Sequence, residues 1–95
     1  MKIEGFDWDN GNKLKVQKHG VTIDEIEVFL LNNPIIYLDR KNSQDEIRYI
    51  AFDYFGSKLL FISFTIRKID EVQKFRVISA RYAHKKEWDK FYGKI

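Results

Sequence analysis

The sequence predicts a single α+β domain, in which an antiparallel sheet packs against helices on one face. After residue 34, four segments rich in β-branched and aromatic residues alternate with short polar turns, a pattern typical of an antiparallel meander. The segments before and after them carry apolar residues at helical spacing. With 95 residues, the chain has the length of one domain. We therefore expect one domain over residues 1–95, with about four to five strands, two N-terminal helices and a C-terminal helix.

The N-terminal segment is predicted to form a short strand and then a helix. Apolar residues alternate with polar ones over residues 6–9, as they do in a half-buried strand. Asp9 or Asn10 can cap a following helix over residues 12–18, because a short polar side chain accepts a free backbone N–H. Gly20 is suited to end that helix, since glycine readily adopts the left-handed conformation found after helix C-termini.

A second helix is predicted to begin at Thr22. Threonine followed by Glu25 three residues later is a capping-box pattern, in which each side chain accepts a backbone N–H of the other residue. The apolar residues that follow recur at helical spacing, and Pro34 ends the helix because its ring cannot continue it.

The second half of the chain is predicted to contain the meander and the last helix. In the third strand of the meander, Ser63, Thr65 and Arg67 fall on one face, so that face becomes polar toward the end of the strand. The last helix is amphipathic and carries Trp88, Phe91 and Tyr92 on its apolar side. The predicted strands cover residues 35–38, 46–53, 58–67 and 74–82.

The last predicted strand is apolar and β-branched at its centre, which indicates a strand buried in the middle of the sheet, and it carries an arginine near each end. Arg76 and Arg81 have opposite parity, so they point to opposite faces unless a bulge intervenes. A buried guanidinium must be paired or meet an anion. The two arginines are therefore either a solvated cation and a structural ion pair, or include at least one phosphate ligand.

The amino-acid composition narrows the cellular compartments and the binding partners that are possible for this protein. The chain has no cysteine, which excludes disulfides and favours a reducing cytoplasm. Neither histidines nor carboxylates show metal-ligand spacing, and no apolar run has membrane-spanning length. Residues 67–95 contain nine Lys/Arg and four Asp/Glu, whereas residues 1–66 contain eight Lys/Arg and ten Asp/Glu. The basic C-terminal third suggests a nucleic-acid surface, although lysine-rich terminal helices also serve solubility.

The remaining polar residues suit phosphodiester chemistry without a metal or other cofactor. Arginines would hold the phosphate and stabilise its growing charge, and a histidine, tyrosine, lysine or glutamate would transfer protons. An attacking 2′-hydroxyl belongs to RNA, so such a site would be a ribonuclease. Each residue also has a structural alternative, such as a helix-end cation or a packed side chain. The candidates on this ground are Lys18, His19, Arg48, Thr65, Arg67, Ser79, Arg81, Tyr82 and His84.

Several segments, taken together, resemble the BrnT toxin family over nearly the whole chain. The most specific are Lys18-His19-Gly20-Val21 and Arg76-Val77-Ile78-Ser79-Ala80-Arg81. The others are Phe6-x-Trp8-Asp9, Asn33-Pro34, Glu46-x-Arg48, Thr65-x-Arg67, Glu87 and Tyr92. His84 departs from the serine or threonine frequent before the last helix, and would either weaken that helix cap or supply an extra acid–base group.

The resemblance implies a RelE-like fold and a metal-independent ribonuclease that inhibits translation. It also implies a cognate BrnA-like ribbon-helix-helix antitoxin, with operator DNA bound only through the toxin–antitoxin complex. The alternative is a non-catalytic nucleic-acid- or protein-binding domain of the same fold. For catalysis we expect Arg67 and Arg81 at the phosphate, Arg48 as a third cation, and His19 or Glu87 in proton transfer. For RNA binding we expect Lys18, Thr65, Arg76, Ser79, Tyr82, His84 and Lys85.

Overall fold

The computed structural model describes residues 2–92, and the side chains of residues 2–90, as a four-stranded antiparallel sheet with three α-helices. The strands are ordered as in the sequence, which confirms the predicted α+β meander. No described helix is long and apolar enough to span a membrane. The elements are α1 (Asn10–Val16), α2 (Ile23–Leu31), β1 (Ile35–Leu38), a 3₁₀ turn (Arg40–Asn42), β2 (Arg48–Phe55), β3 (Lys58–Ile69), β4 (Val72–Ala83) and α3 (Lys85–Tyr92).

Both N-terminal helices begin at the predicted caps. The Asp9 carboxylate accepts the backbone N–H of Asn12 at 2.8 Å, so α1 begins two residues earlier than predicted. At α2, Thr22 and Glu25 form the complete capping box, with reciprocal bonds of 3.0 and 3.2 Å. Helix starts were therefore well determined by local side-chain chemistry.

The predicted first strand is only a single parallel bridge between Phe6 and Phe75. Backbone bonds of 2.8–3.0 Å tie residues 4–7 to the outer edge of β4. This segment covers the first part of an edge that would otherwise expose unpaired N–H and C=O groups. It also carries Asp7 and Asp9 to the side of β4.

Helices α1 and α2 cover one face of the sheet, which we call the core face. Ile62 and Phe64 of β3 are buried there with Val16 of α1 and Ile26 of α2. We expected all helices on this face, but α3 packs on the opposite one. Trp88 contacts Phe52 and Tyr54 with ring centroids 5.2 Å apart in both pairs. The predicted apolar side chains of Phe91 and Tyr92 lie outside the described residues.

A β-bulge in β4 decides the direction of the two arginines. Ser79 pairs with Ser63 and Val77 pairs with Phe64, so Ile78 is an extra residue without a partner on β3. The bulge places Arg76 and Arg81 on the same side of the sheet, the face opposite the core face. The expectation that this strand is buried in the middle of the sheet was wrong, because β4 lies at the edge of the sheet and Ile78 itself is half-buried.

The bulge is held by a buried side chain of α1. Asn12 donates its side-chain amide to the carbonyl oxygen of Val77 at 2.7 Å, at a point where the β3–β4 ladder is irregular. A buried carbonyl is strongly destabilising when it has no hydrogen bond. The start of α1 and the bulge are therefore coupled, through a contact 65 residues apart in sequence.

Candidate active site

Two adjoining clefts lie on the face of the sheet opposite the core face, and we call them together the arginine groove. Their volumes are about 290 and 370 Å³, and they share Arg48 and Ile78 in their walls. The first cleft adds Arg81, Ser63 and Ser79, and the second adds Arg67, Arg76 and Thr65. Six of the predicted site residues thus meet in one groove, on three neighbouring strands.

Arg76 is the most strongly paired of the four arginines in the groove. Its guanidinium donates to the Asp9 carboxylate at 2.8 Å and to the Asp7 carbonyl at 3.1 Å, and its side chain is only 19% exposed. The backbone N–H of Asn12 and then the Arg76 guanidinium lower the pKa of Asp9. Arg76 therefore acts as a link between the N-terminal segment and β4, which matches the structural ion-pair alternative.

Arg67 and Arg48 are less committed to protein partners. Arg67 is 50% exposed and lies 3.9 Å from the Asp7 carboxylate, beyond hydrogen-bonding distance. Arg48 lies 3.7 Å from Glu46, and its buried Nε has no hydrogen-bond partner among the described residues. The Arg48 side chain is nevertheless 36% exposed and lines both clefts. Both side chains thus present positive charge to the groove.

Arg81 forms an ion pair with α3. Its Nη2 lies 2.6 Å from the Glu87 carboxylate, and its guanidinium stacks 5.1 Å from the centre of the Phe61 ring. The side chain is nevertheless 44% exposed. The hydrogen bond from Arg81 lowers the pKa of Glu87, with a smaller contribution from His84. Glu87 is therefore ionised at neutral pH and paired with Arg81.

The hydroxyl groups of the groove differ in their availability. Thr65 is buried and donates to the carbonyl of Ile47 at 2.6 Å, so it fixes the start of β2. Ser63 and Ser79 are opposite each other across β3 and β4 and line the first cleft. Among the described residues, no side chain or backbone group hydrogen-bonds the hydroxyls of these two serines, which therefore face the groove unbonded.

Several predicted residues lie away from the groove. Lys18 and His19 are exposed in the turn that follows α1, and neither lines either cleft. Tyr82 lies on the core face, where its hydroxyl donates to Glu25 at 2.8 Å and its pKa is raised by that carboxylate. Exposed Lys85 opens α3. The direct roles predicted for these residues in RNA binding and catalysis remain predictions.

The groove also contains residues that were not selected from the sequence. Asp39 and Asn42 line the first cleft, and Lys15 of α1 lines the second. The segment from residue 39 to 45 reads as an ordinary polar turn, and nothing local indicates that it folds beside β2. The alternation of Ser63 with Thr65 and Arg67 was the one signal that located part of the groove.

The Arg81–Glu87 pair gives a prediction about acid stability. Because the folded-state pKa of Glu87 lies below its ordinary value of 4.5, the pair stabilises the fold fully above that value. The stabilisation is lost as the pH falls through the lowered folded-state pKa. Between pH 7 and pH 3, thermal melts should show a larger decrease in Tm for the wild type than for Glu87→Gln. Equal decreases for both proteins would contradict the pairing.

The fold and the groove together define a small α+β domain that presents four arginines on one side of its sheet. Among the described residues, no three His, Cys, Asp or Glu side chains are grouped as they would be to hold a metal ion. Residues 8–87 match the family described as the ribonuclease toxin, BrnT, of type II toxin–antitoxin systems, and the chain belongs to this family. No curated protein matches the sequence.

Proposed function

We propose that this toxin cleaves RNA in the arginine groove by a metal-independent mechanism and thereby inhibits translation. The observation that carries the proposal is the collection of Arg48, Arg67 and Arg81 on one surface, each with part of its guanidinium available. Arginine suits phosphate because its planar guanidinium matches two phosphate oxygens at once. Family membership supports the ribonuclease activity.

In this proposal the arginines supply the charge that the reaction needs. The ribose 2′-hydroxyl attacks the adjacent phosphorus, the bond to the 5′-oxygen breaks, and a 2′,3′-cyclic phosphate and a 5′-hydroxyl result. Negative charge increases on the phosphate oxygens in the transition state. Arg67 and Arg81 would bind those oxygens, and Arg48, which lines both clefts, would contribute the third cation.

Glu87 is the better placed of the two predicted proton-transfer groups. It lies beside Arg81, and its lowered pKa keeps it in the ionised form that accepts the 2′-hydroxyl proton. The pair would have to open or shift so that the carboxylate reaches the ribose. His84, whose backbone carbonyl accepts the N–H of Glu87 at 2.9 Å, would return a proton to the leaving 5′-oxygen.

The test is cleavage of a defined RNA by the purified protein, with and without a chelator. We expect cleavage that survives the chelator and leaves 2′,3′-cyclic phosphate ends. Activity that disappears with the chelator and returns with magnesium would overturn the metal-independent mechanism. The non-catalytic alternative predicts RNA binding without cleavage under every condition.

A growth assay tests the toxin–antitoxin part of the proposal. Induced expression in a growing bacterium should arrest growth and degrade RNA, and co-expression of a cognate ribbon-helix-helix antitoxin should restore growth. Glu87→Gln, expressed to the same level, is the matched control and should arrest growth less. Normal growth with soluble wild-type protein present would contradict toxicity.

A further inference from the structure

The first cleft of the arginine groove combines two kinds of wall that a single nucleotide would need. Arg48 and Arg81 line it with positive charge, whereas Ile50 and Phe61 contribute apolar surface beside Ser63. Its volume of about 290 Å³ lies at the lower end of the range for small-molecule pockets. A phosphate and the base attached to the same ribose therefore suit it better than a length of duplex.

The remaining wall is the segment between β1 and β2, which is fixed firmly to the sheet. The backbone N–H of Asp39 donates to the carbonyl of Arg48 at 2.8 Å. The hydroxyl of Ser43 donates to the Asp39 carbonyl at 2.6 Å and accepts the N–H of Arg48 at 2.9 Å. These bonds hold Asp39 and Asn42 beside the start of β2, in the wall of the same cleft as Arg48.

The side chains of Asp39 and Asn42 are also oriented relative to each other. Asn42 Nδ2 donates to Asp39 Oδ2 at 2.9 Å, which uses one of the two amide hydrogens and one carboxylate lone pair. A second amide hydrogen and most of the carboxylate remain for a ligand. Burial, and to a smaller extent the charge of Asp39, raises the pKa of Tyr37 to about 12. Tyr37 lies on the same face of the sheet as the groove, so the Asp39 carboxylate acts on that face.

We propose that Asp39 and Asn42 form a guanine-binding subsite for the nucleotide on the 5′ side of the cleaved phosphate, an inference that rests on the proposed function. The carboxylate accepts from N1–H and the 2-amino group of guanine, and the amide donates to O6. Adenine and cytosine present one amino group beside a ring acceptor, and uracil presents a single N–H between two carbonyls. Guanine alone offers two adjacent donors followed by an acceptor.

The cleavage experiment uses four RNA oligonucleotides that differ only in the base before the scissile phosphate. A bidentate side-chain contact discriminates between bases by about 5- to 150-fold, so kcat/KM should be higher by that factor for guanine. Inosine lacks the 2-amino group and should be cleaved more slowly than guanine. Asp39→Asn should lose the preference and cleave guanine and inosine substrates equally.

Asp53→Asn is the matched control, because Asp53 lies on the core face of the same sheet, paired with Leu60. It should keep the guanine preference of the wild type. Equal cleavage of all four bases by the wild type would overturn the subsite and leave the ribonuclease activity standing. A preference that survives Asp39→Asn would likewise overturn it.

Binding of mononucleotides tests the subsite without any cleavage. Calorimetry should give a lower Kd for guanosine 3′-monophosphate than for the adenosine, cytidine and uridine compounds, and Asp39→Asn should remove the difference. If no RNA is cleaved but this preference is found, the proposed function fails and the subsite stands. Equal affinity for the four nucleotides would reject the subsite.

Discussion

Replacing Arg81 or Arg67 by alanine is expected to lower the rate of RNA cleavage by about 100-fold or more, while the protein stays folded. The loss of one charge-assisted contact made in the transition state typically has this effect. The effect on stability should be small. Both guanidinium groups are about half exposed, and exposed ion pairs contribute about 0–1 kcal/mol. Single-turnover cleavage and a thermal melt of each variant measure the two effects.

Two further variants make this test specific. Lys13→Ala removes an exposed cation of α1 that lines neither cleft, so it should cleave RNA at the wild-type rate. Arg76→Ala should instead lower the melting temperature, because it breaks the link to Asp7 and Asp9. If Arg67→Ala and Arg81→Ala lower the melting temperature as much as Arg76→Ala does, all three are structural ion-pair partners. If they fold and cleave normally, the phosphate is bound elsewhere.

Phe52→Ala is expected to destabilise the protein by about 3–5 kcal/mol, the largest effect we expect on the fold. Phe52 is fully buried on the face opposite the core face, between Phe61 of β3 and Trp88 of α3. Its truncation removes apolar contacts and leaves a cavity under the helix that carries Glu87. For a domain of this size, each kcal/mol lowers Tm by about 4–8 °C. Denaturant unfolding gives the free energy directly.

Tyr54→Ala is the control for the core prediction, because Tyr54 contacts the same Trp88 ring but is 50% exposed. It should be much less destabilising, since truncation of a half-exposed side chain leaves no closed cavity. Similar losses for both variants would indicate that their contribution comes from the contact with α3. A wild-type melting temperature for Phe52→Ala would show that α3 is not packed as described.

The helices and strands could be predicted from the sequence because each is specified by residues that are close together in the chain. Asp9 and Thr22 mark helix starts through hydrogen bonds that span only three residues. The four strands alternate in sequence with turns, so pairing between successive strands was the simplest arrangement and is the one observed. The predicted ends of β2, β3 and β4 were short by one to two residues, because local pattern weakens where strands extend into turns.

The face on which α3 packs depended on the tertiary structure. The apolar spacing of the last helix shows that it must cover something, but periodicity carries no information about which side of a sheet is free. Helices α1 and α2 already cover the core face, so the exposed ring of Tyr54 and the buried ring of Phe52 are what α3 meets. That choice brings Glu87 to Arg81.

The sequence by itself determined the residue types of the groove, the meander that carries them and the family to which the chain belongs. Only the tertiary structure decided which arginines meet. The single extra residue Ile78, held through Asn12, turns Arg76 to the same side as Arg81, although strand parity places them apart. The carboxylates of the N-terminal segment then engage Arg76 and leave Arg67 largely free. Both outcomes depend on contacts more than 60 residues apart in sequence, which no local pattern encodes.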